Sequence, residues 1–245
     1  MVPYYPNNKD YAYTAMDLMS FYEDKDISTL LLINPDNPSG NYICKDDVLK
    51  LARWAQNKNI TFIVDESFVD FADKEESPTL LEDYILNDYP ELIIVKSISK
   101  SFGVPGLRLG ILASHNTKLI SELKKDVAIW NINSFGEFYM QIFEKYKGDY
   151  TTAIEKFKEV RREYLEELSN VKNLRVVPTQ ANYVLCEILG DNTAYDITKR
   201  LLDEYDIFIK DLSSKKGFNG QYIRVAVKRP EENRKLVEAL KTILE

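Results

Sequence analysis

The chain has 245 residues, 44% of them hydrophobic and 29% charged, as expected of a soluble globular protein of one or two domains. Its net charge of −7 argues against nucleic-acid and anionic-membrane surfaces, since both need basic patches. A single histidine, His115, argues against a His-based triad or a multi-histidine metal site, so no metal is expected. Two cysteines, Cys44 and Cys186, without CxxC spacing suit a reduced, cytoplasmic compartment. The first six residues have neither the basic nor the apolar region of a signal peptide. No apolar run reaches the roughly 20 residues that span a bilayer.

In chain order, residues 17–23 form a short helix after a Tyr-rich start. Leu30-Leu31-Leu32-Ile33 reads as a strand covered on both faces. It ends in Asn34-Pro35-Asp36-Asn37-Pro38-Ser39-Gly40, whose prolines and glycine force an irregular loop. In open α/β sheets ligands bind at that edge. An amphipathic helix starts at Asp46, with Val48, Leu51, Ala52 and Ala55 on one face. The next strand, 61–64, runs into Asp65-Glu66-Ser67-Phe68. A helix over 80–86 and a strand over 92–95 follow. This alternation is the signature of βαβ units and a parallel sheet. After Ala113 helices are expected over 117–128, 135–147 and 150–168. Short strands at 174–177, 183–187, 207–209 and 222–226 then alternate with helices at 194–204 and 231–244. The interruption at 130–134 divides the chain into a large domain, 1–130, and a small α+β domain, 131–245.

The chemistry gathers in Ser97-Ile98-Ser99-Lys100-Ser101-Phe102-Gly103-Val104-Pro105-Gly106-Leu107-Arg108-Leu109-Gly110. A lysine walled by apolar strands has a lowered pKa, because burial disfavours the ammonium, and becomes an amine nucleophile for an aldehyde. Ser97, Ser99 and Arg108 offer hydroxyls and a planar charged fork to a phosphate. Asp65, at the carboxyl end of an apolar strand, needs a cation. Arg224, flanked by apolar residues in Tyr222-Ile223-Arg224-Val225-Ala226-Val227, needs an anion, and a carboxylate fits it. Each residue alone has a plainer reading: a solvated loop lysine, a turn asparagine, a capping aspartate, an edge-strand salt bridge. Glu66 and Asp70 read as solvated or structural.

The serine-lysine stretch resembles the S-x-S-K-x-x-x-x-P-G-L-R-x-G block of fold-type I pyridoxal 5′-phosphate (PLP) enzymes. More narrowly, it is similar to the branch that holds histidinol-phosphate aminotransferases and threonine-phosphate decarboxylases. The loop around Asn37 also matches the family's N-P-x-N-P-x-G. The resemblance implies that Lys100 is the Schiff-base lysine and proton shuttle, and that Ser97 and Arg108 bind the cofactor phosphate. It implies that Asp65 holds the proton of the pyridine nitrogen, which keeps the ring an electron sink. Asn37 would donate to the cofactor's 3′-oxygen, and Arg224 would bind the substrate α-carboxylate. Phe68 stands where many members carry a Tyr whose hydroxyl also reaches that oxygen, so the pH response of the attached cofactor is expected to differ. The implied fold is α/β, a PLP-transferase-like large domain with a parallel-rich sheet, lacking the family's N-terminal part, plus a small C-terminal domain. Amino transfer to or from an amino acid is the expected reaction. Decarboxylation of a phosphorylated amino acid is the alternative within the class, and a non-catalytic fold fragment the alternative outside it. Phe68 and the Arg-Val-Ala-Val wording lean toward the decarboxylases. A homodimer is implied by the resemblance.

Overall fold

The computed structural model describes residues 1–244. It divides into two compact units, each with its own four-stranded sheet.

One unit comprises Tyr13–Pro35 and Tyr42–Glu155. Helix α1 (Ala15–Tyr22) opens with a capping box between Thr14 and Asp17, which satisfies two backbone donors reciprocally. Strands β1 (Thr29–Ile33), β2 (Thr61–Asp65) and β3 (Leu92–Ser97) pair in parallel, and β4 (Gly110–Ala113) pairs antiparallel to β3. The order β1-β2-β3-β4 follows the sequence. Helix α2 (Lys45–Asn57) buries Val48, Leu51, Ala52 and Ala55, the face that its periodicity marks. Helix α3 is Asp83–Asp88, three residues later than expected, because Glu66 takes the Leu80 amide at 2.6 Å and holds residues 79–81 out of a helix. Helices α4 (Thr117–Asp126) and α5 (Ser134–Phe143) start on the side-chain caps Asn116 and Asn133.

The other unit comprises Met1–Ala12, Asp36–Asn41 and Lys156–Glu245. The chain passes between units inside α6 (Lys147–Ser169), which has no break there. Strands β5 (Leu174–Val176), β6 (Tyr183–Ile188), β7 (Lys210–Asp211) and β8 (Gln221–Ala226) form an antiparallel sheet in the order β5-β6-β8-β7. Helices α7 (Ala194–Tyr205) and α8 (Pro230–Leu244) cover it, and Leu168, Val184, Ile197, Leu201, Ile223 and Leu240 share its core. The strand expected at 207–209 forms instead at Lys210–Asp211. Asp206 is the left-handed cap of α7, and the Ile207 amide closes back on Leu201, so those residues end the helix.

Candidate active site

In the mixed-sheet unit the carboxyl ends of β2 and β3 carry the first set of candidate residues. Asp65 lies opposite Val95, and the Glu66 amide donates to the Val95 carbonyl at 2.8 Å, so the two strand ends are level. The Ser97 amide then donates to Ser67 Oγ at 3.0 Å, which extends the contact past the ladder. Asp65 is half-buried; its Oδ1 accepts from the Ser67 amide at 2.9 Å, and Oδ2 has no partner among the described residues. Lys100 follows in the turn after β3. Its Nζ stands 4.8 Å from the centre of the buried Phe68 ring and pairs with no carboxylate among the described residues.

Burial does not enclose Lys100: the residue is exposed. The apolar walls expected on either side end at the Ser97–Gly110 pair, three residues before it, and the lysine lies beyond them. Ser99 is buried, and its hydroxyl donates to the Leu109 carbonyl at 3.4 Å, which ties the two arms of the stretch together. Ser97 Oγ has no such internal acceptor among the described residues. Arg108 is exposed at φ 57°, ψ 41°, a left-handed conformation that costs a non-glycine residue about 1–2 kcal/mol. Its Nη1 reaches the Pro105 carbonyl at 3.3 Å, and the rest of the fork is uncommitted among the described residues. An arginine held in strain with an open fork is the kind of outlier that marks a functional position.

The antiparallel-sheet unit carries the second set. Arg224 on β8 donates from Nη1 to Asn37 Oδ1 at 2.6 Å. This leaves the Asn37 amide hydrogens as donors and the second Arg224 terminal nitrogen without a partner among the described residues. The guanidinium also lies 5.0 Å from the Tyr183 ring, a cation–π contact, and Tyr183 donates to the Asp36 carbonyl at 2.7 Å. Tyr183 sits diagonally across the ladder from Arg224 on the same face.

The aminotransferase class I and II family matches residues 1–240. The chain belongs to that family. It is 36% identical to the L-serine phosphate decarboxylase of Sulfurospirillum multivorans over 99% of this chain and 63% of that protein. The solved structure of a decarboxylase from the same organism superposes with a TM-score of 0.90 at 35% identity, over 99% of this chain and 69% of that one. The histidinol-phosphate aminotransferase of Clostridium acetobutylicum superposes with a TM-score of 0.88 at 27% identity, over 99% and 71%. The chain thus spans less than two thirds of the length of the curated decarboxylase it matches. Its fold is that of the fold-type I PLP enzymes, as the sequence implies.

Pyridoxal 5′-phosphate is the cofactor of this family member. The donor set fits it: among the described residues an unpaired amine at Lys100, an unpartnered carboxylate oxygen at Asp65, a hydroxyl at Ser97 and a guanidinium at Arg108 with one nitrogen on the Pro105 carbonyl. Among the described residues no group of three acidic, cysteine or histidine side chains is placed to hold a metal. No described helix is long and apolar enough to cross a membrane. His115 is exposed, as expected of a loop residue. Glu66 and Asp70 are structural: Glu66 accepts from Thr79 and Leu80, and Asp70 pairs with Lys96. Lys96 belongs to no motif, although the alternation of β3 puts it on the same inward face as Leu92 and Ile94. Tyr183 gives no sequence signal either, because an aromatic on an apolar strand does not announce a charged neighbour.

Proposed function

We propose that this chain carries the cofactor lysine and the substrate-carboxylate arginine of a PLP-dependent decarboxylase acting on a small phosphorylated amino acid. The observation that carries the reading is the Arg224–Asn37 hydrogen bond, which fixes a guanidinium with a free nitrogen beside an amide with free donors. When bound, the cofactor supplies an aldehyde for the substrate amine and a ring that takes up electrons from Cα. Asp65 would keep the ring nitrogen protonated. Ser97 and Arg108 would hold the phosphate, with Ser99 bracing the loop. Asn37 would donate to the 3′-oxygen, and the Phe68 ring would steady Lys100. Arg224 would bind the α-carboxylate that leaves as carbon dioxide, and Lys100 would deliver the proton to Cα. Residues 1–130 would supply most of the cofactor site and residues 131–245 the small domain, in a homodimer in the cytoplasm.

The kinship with the L-serine phosphate decarboxylase supports decarboxylation over amino transfer. Amino transfer is the second reading, favoured by the likeness to the histidinol-phosphate aminotransferase. The test is product analysis with pyridoxal 5′-phosphate and O-phosphoserine. Carbon dioxide and phosphoethanolamine are expected, and Lys100→Ala abolishes both. A keto-acid product without carbon dioxide sinks the first reading in favour of the second. Neither product, with no cofactor attached at Lys100, sinks both.

A further inference from the structure

Asp70 makes contacts that the cofactor reading leaves unused. Its Oδ1 meets Lys96 Nζ at 2.5 Å, and its Oδ2 accepts from Ser101 Oγ at 2.6 Å. Lys96 is buried and precedes Lys100 by one helical-turn's worth of chain; Ser101 follows Lys100 directly. A buried ammonium without its partner is costly, so the Lys96–Asp70 pair is a firm anchor rather than a surface contact. A short 3-10 helix, Val69–Phe71, sets Phe68 and Asp70 on either side of one turn, and Phe68 is the residue whose ring meets Lys100 Nζ. Beyond Ser101, the Phe102 ring stacks on Tyr150 at 4.3 Å and 13°. Burial first, and then the charge of Asp70, keep the Tyr150 hydroxyl protonated above the ordinary phenol range.

We propose that Asp70 is a positioning residue for Lys100, gripping the chain on both sides of it so that a flexible amine meets its aldehyde in one orientation. A lysine has four rotatable side-chain bonds, and fixing its backbone while Nζ rests on the Phe68 ring removes much of that freedom. The inference rests on Lys100 being the cofactor lysine.

The whole chain is incubated with pyridoxal 5′-phosphate, reduced with borohydride, and the label mapped to individual lysines by mass spectrometry; this needs no turnover. Lys100 is expected to carry most of the label in the unsubstituted chain. Ser101→Ala removes one tether and leaves the buried pair intact. It is expected to lower the share at Lys100 about ten-fold at unchanged melting temperature, because a small misplacement of a reacting group is that costly. Ser101→Thr, which keeps the hydroxyl, restores the share. Asp70→Asn lowers it at least as far. If Ser101→Ala labels as the unsubstituted chain does, the proposal is overturned. It is overturned equally if the loss tracks a fall in melting temperature and Ser101→Thr does not restore it. No label at Lys100 in the unsubstituted chain overturns the cofactor assignment itself, and this proposal with it.

Discussion

Glu66 is 1% exposed, and it does not face a cation directly. It accepts from Thr79 Oγ1 and the Leu80 amide, both at 2.6 Å. Burial raises its pKa above the usual carboxylate value, against the pull of those two donors and the more distant Lys96. A folded-state pKa above the unfolded one means that the folded chain binds the proton more tightly. The associated stability is present below the unfolded pKa and is lost as pH rises through the folded one. Glu66→Gln removes the charge and keeps a carbonyl for Leu80. The variant is therefore expected to match the parent at acidic pH and to exceed it increasingly as pH rises toward neutrality, in urea unfolding followed across that range. A stability gap that stays constant with pH sinks the argument. Arg224 gives a second prediction at this scale. Lysine, a point charge on a shorter reach, lacks the planar fork that can meet Asn37 through one nitrogen while another faces a carboxylate. A charged hydrogen bond is worth about 1.5–3 kcal/mol, so on the proposed decarboxylase function Arg224→Lys should raise KM for O-phosphoserine about 10–100-fold and change kcat less. A fall in kcat at unchanged KM contradicts the carboxylate role. Part of this was legible from the residues themselves: Lys100, Asp65 and Arg224 stood out because charge in apolar surroundings requires a partner, and Asn37 because its proline-rich loop resembles the family's. The exposure of Lys100 was not, because a strand pattern does not say where the pairing stops.

The Asn34–Gly40 loop shows what an element needs beyond its own residues. Asn34 is buried and exchanges two bonds with Ile43, donating to its carbonyl at 2.8 Å and accepting from its amide at 2.9 Å. Asp36 Oδ2 accepts from Ser39 Oγ at 2.6 Å, and the Gly40 amide donates to the Asp36 carbonyl at 2.8 Å. Gly40 has φ +76, and a Cβ there would lie 1.9 Å from Thr179 Oγ1. Thr179 cannot withdraw easily, since it donates to the Tyr183 carbonyl at 2.9 Å and accepts from the Ala181 amide at 3.1 Å. Gly40→Ala is therefore expected to cost about 2 kcal/mol or more in chemical denaturation, through strain and overpacking together. It should also weaken binding of the substrate carboxylate, because Asn37 rides on the same loop. A variant as stable as the parent rules the close approach out. From the sequence the loop was plainly irregular, and its prolines and glycine said so. That Gly40 answers to a threonine far along the chain could not be read there. The same holds for the start of α3, which Glu66 displaces from across the fold. Local signals place an element, and a buried partner then trims its ends.

At the scale of the molecule, composition describes an acidic chain of ordinary apolar content, yet the apolar surface is unevenly distributed. Ile129 and Trp130 are 95% and 92% exposed, and Phe135 and Phe138 on the following helix α5 are exposed as well. The helix keeps a sequence that is apolar on more than one face, so periodicity reveals that it is a helix and leaves open which face is covered. One passage between the two units is equally unmarked: at residues 155–156 it falls inside the continuous helix α6 with no glycine, proline or change of composition at that point, whereas those at 35–36 and 41–42 flank the proline-rich loop. What decides both is tertiary contact, which no local pattern encodes. Large exposed aromatics bind apolar probes. Anilinonaphthalene sulfonate is therefore expected to fluoresce in the presence of the native chain. The double variant Trp130→Ser/Phe135→Ser should reduce that signal by roughly half or more, since it removes two of the largest exposed rings of the patch. Far-ultraviolet circular dichroism should remain as in the parent, because neither side chain is part of the buried core. An undiminished dye signal would place the accessible apolar surface elsewhere on the chain, and a loss of helical signal would mean that these rings support the fold.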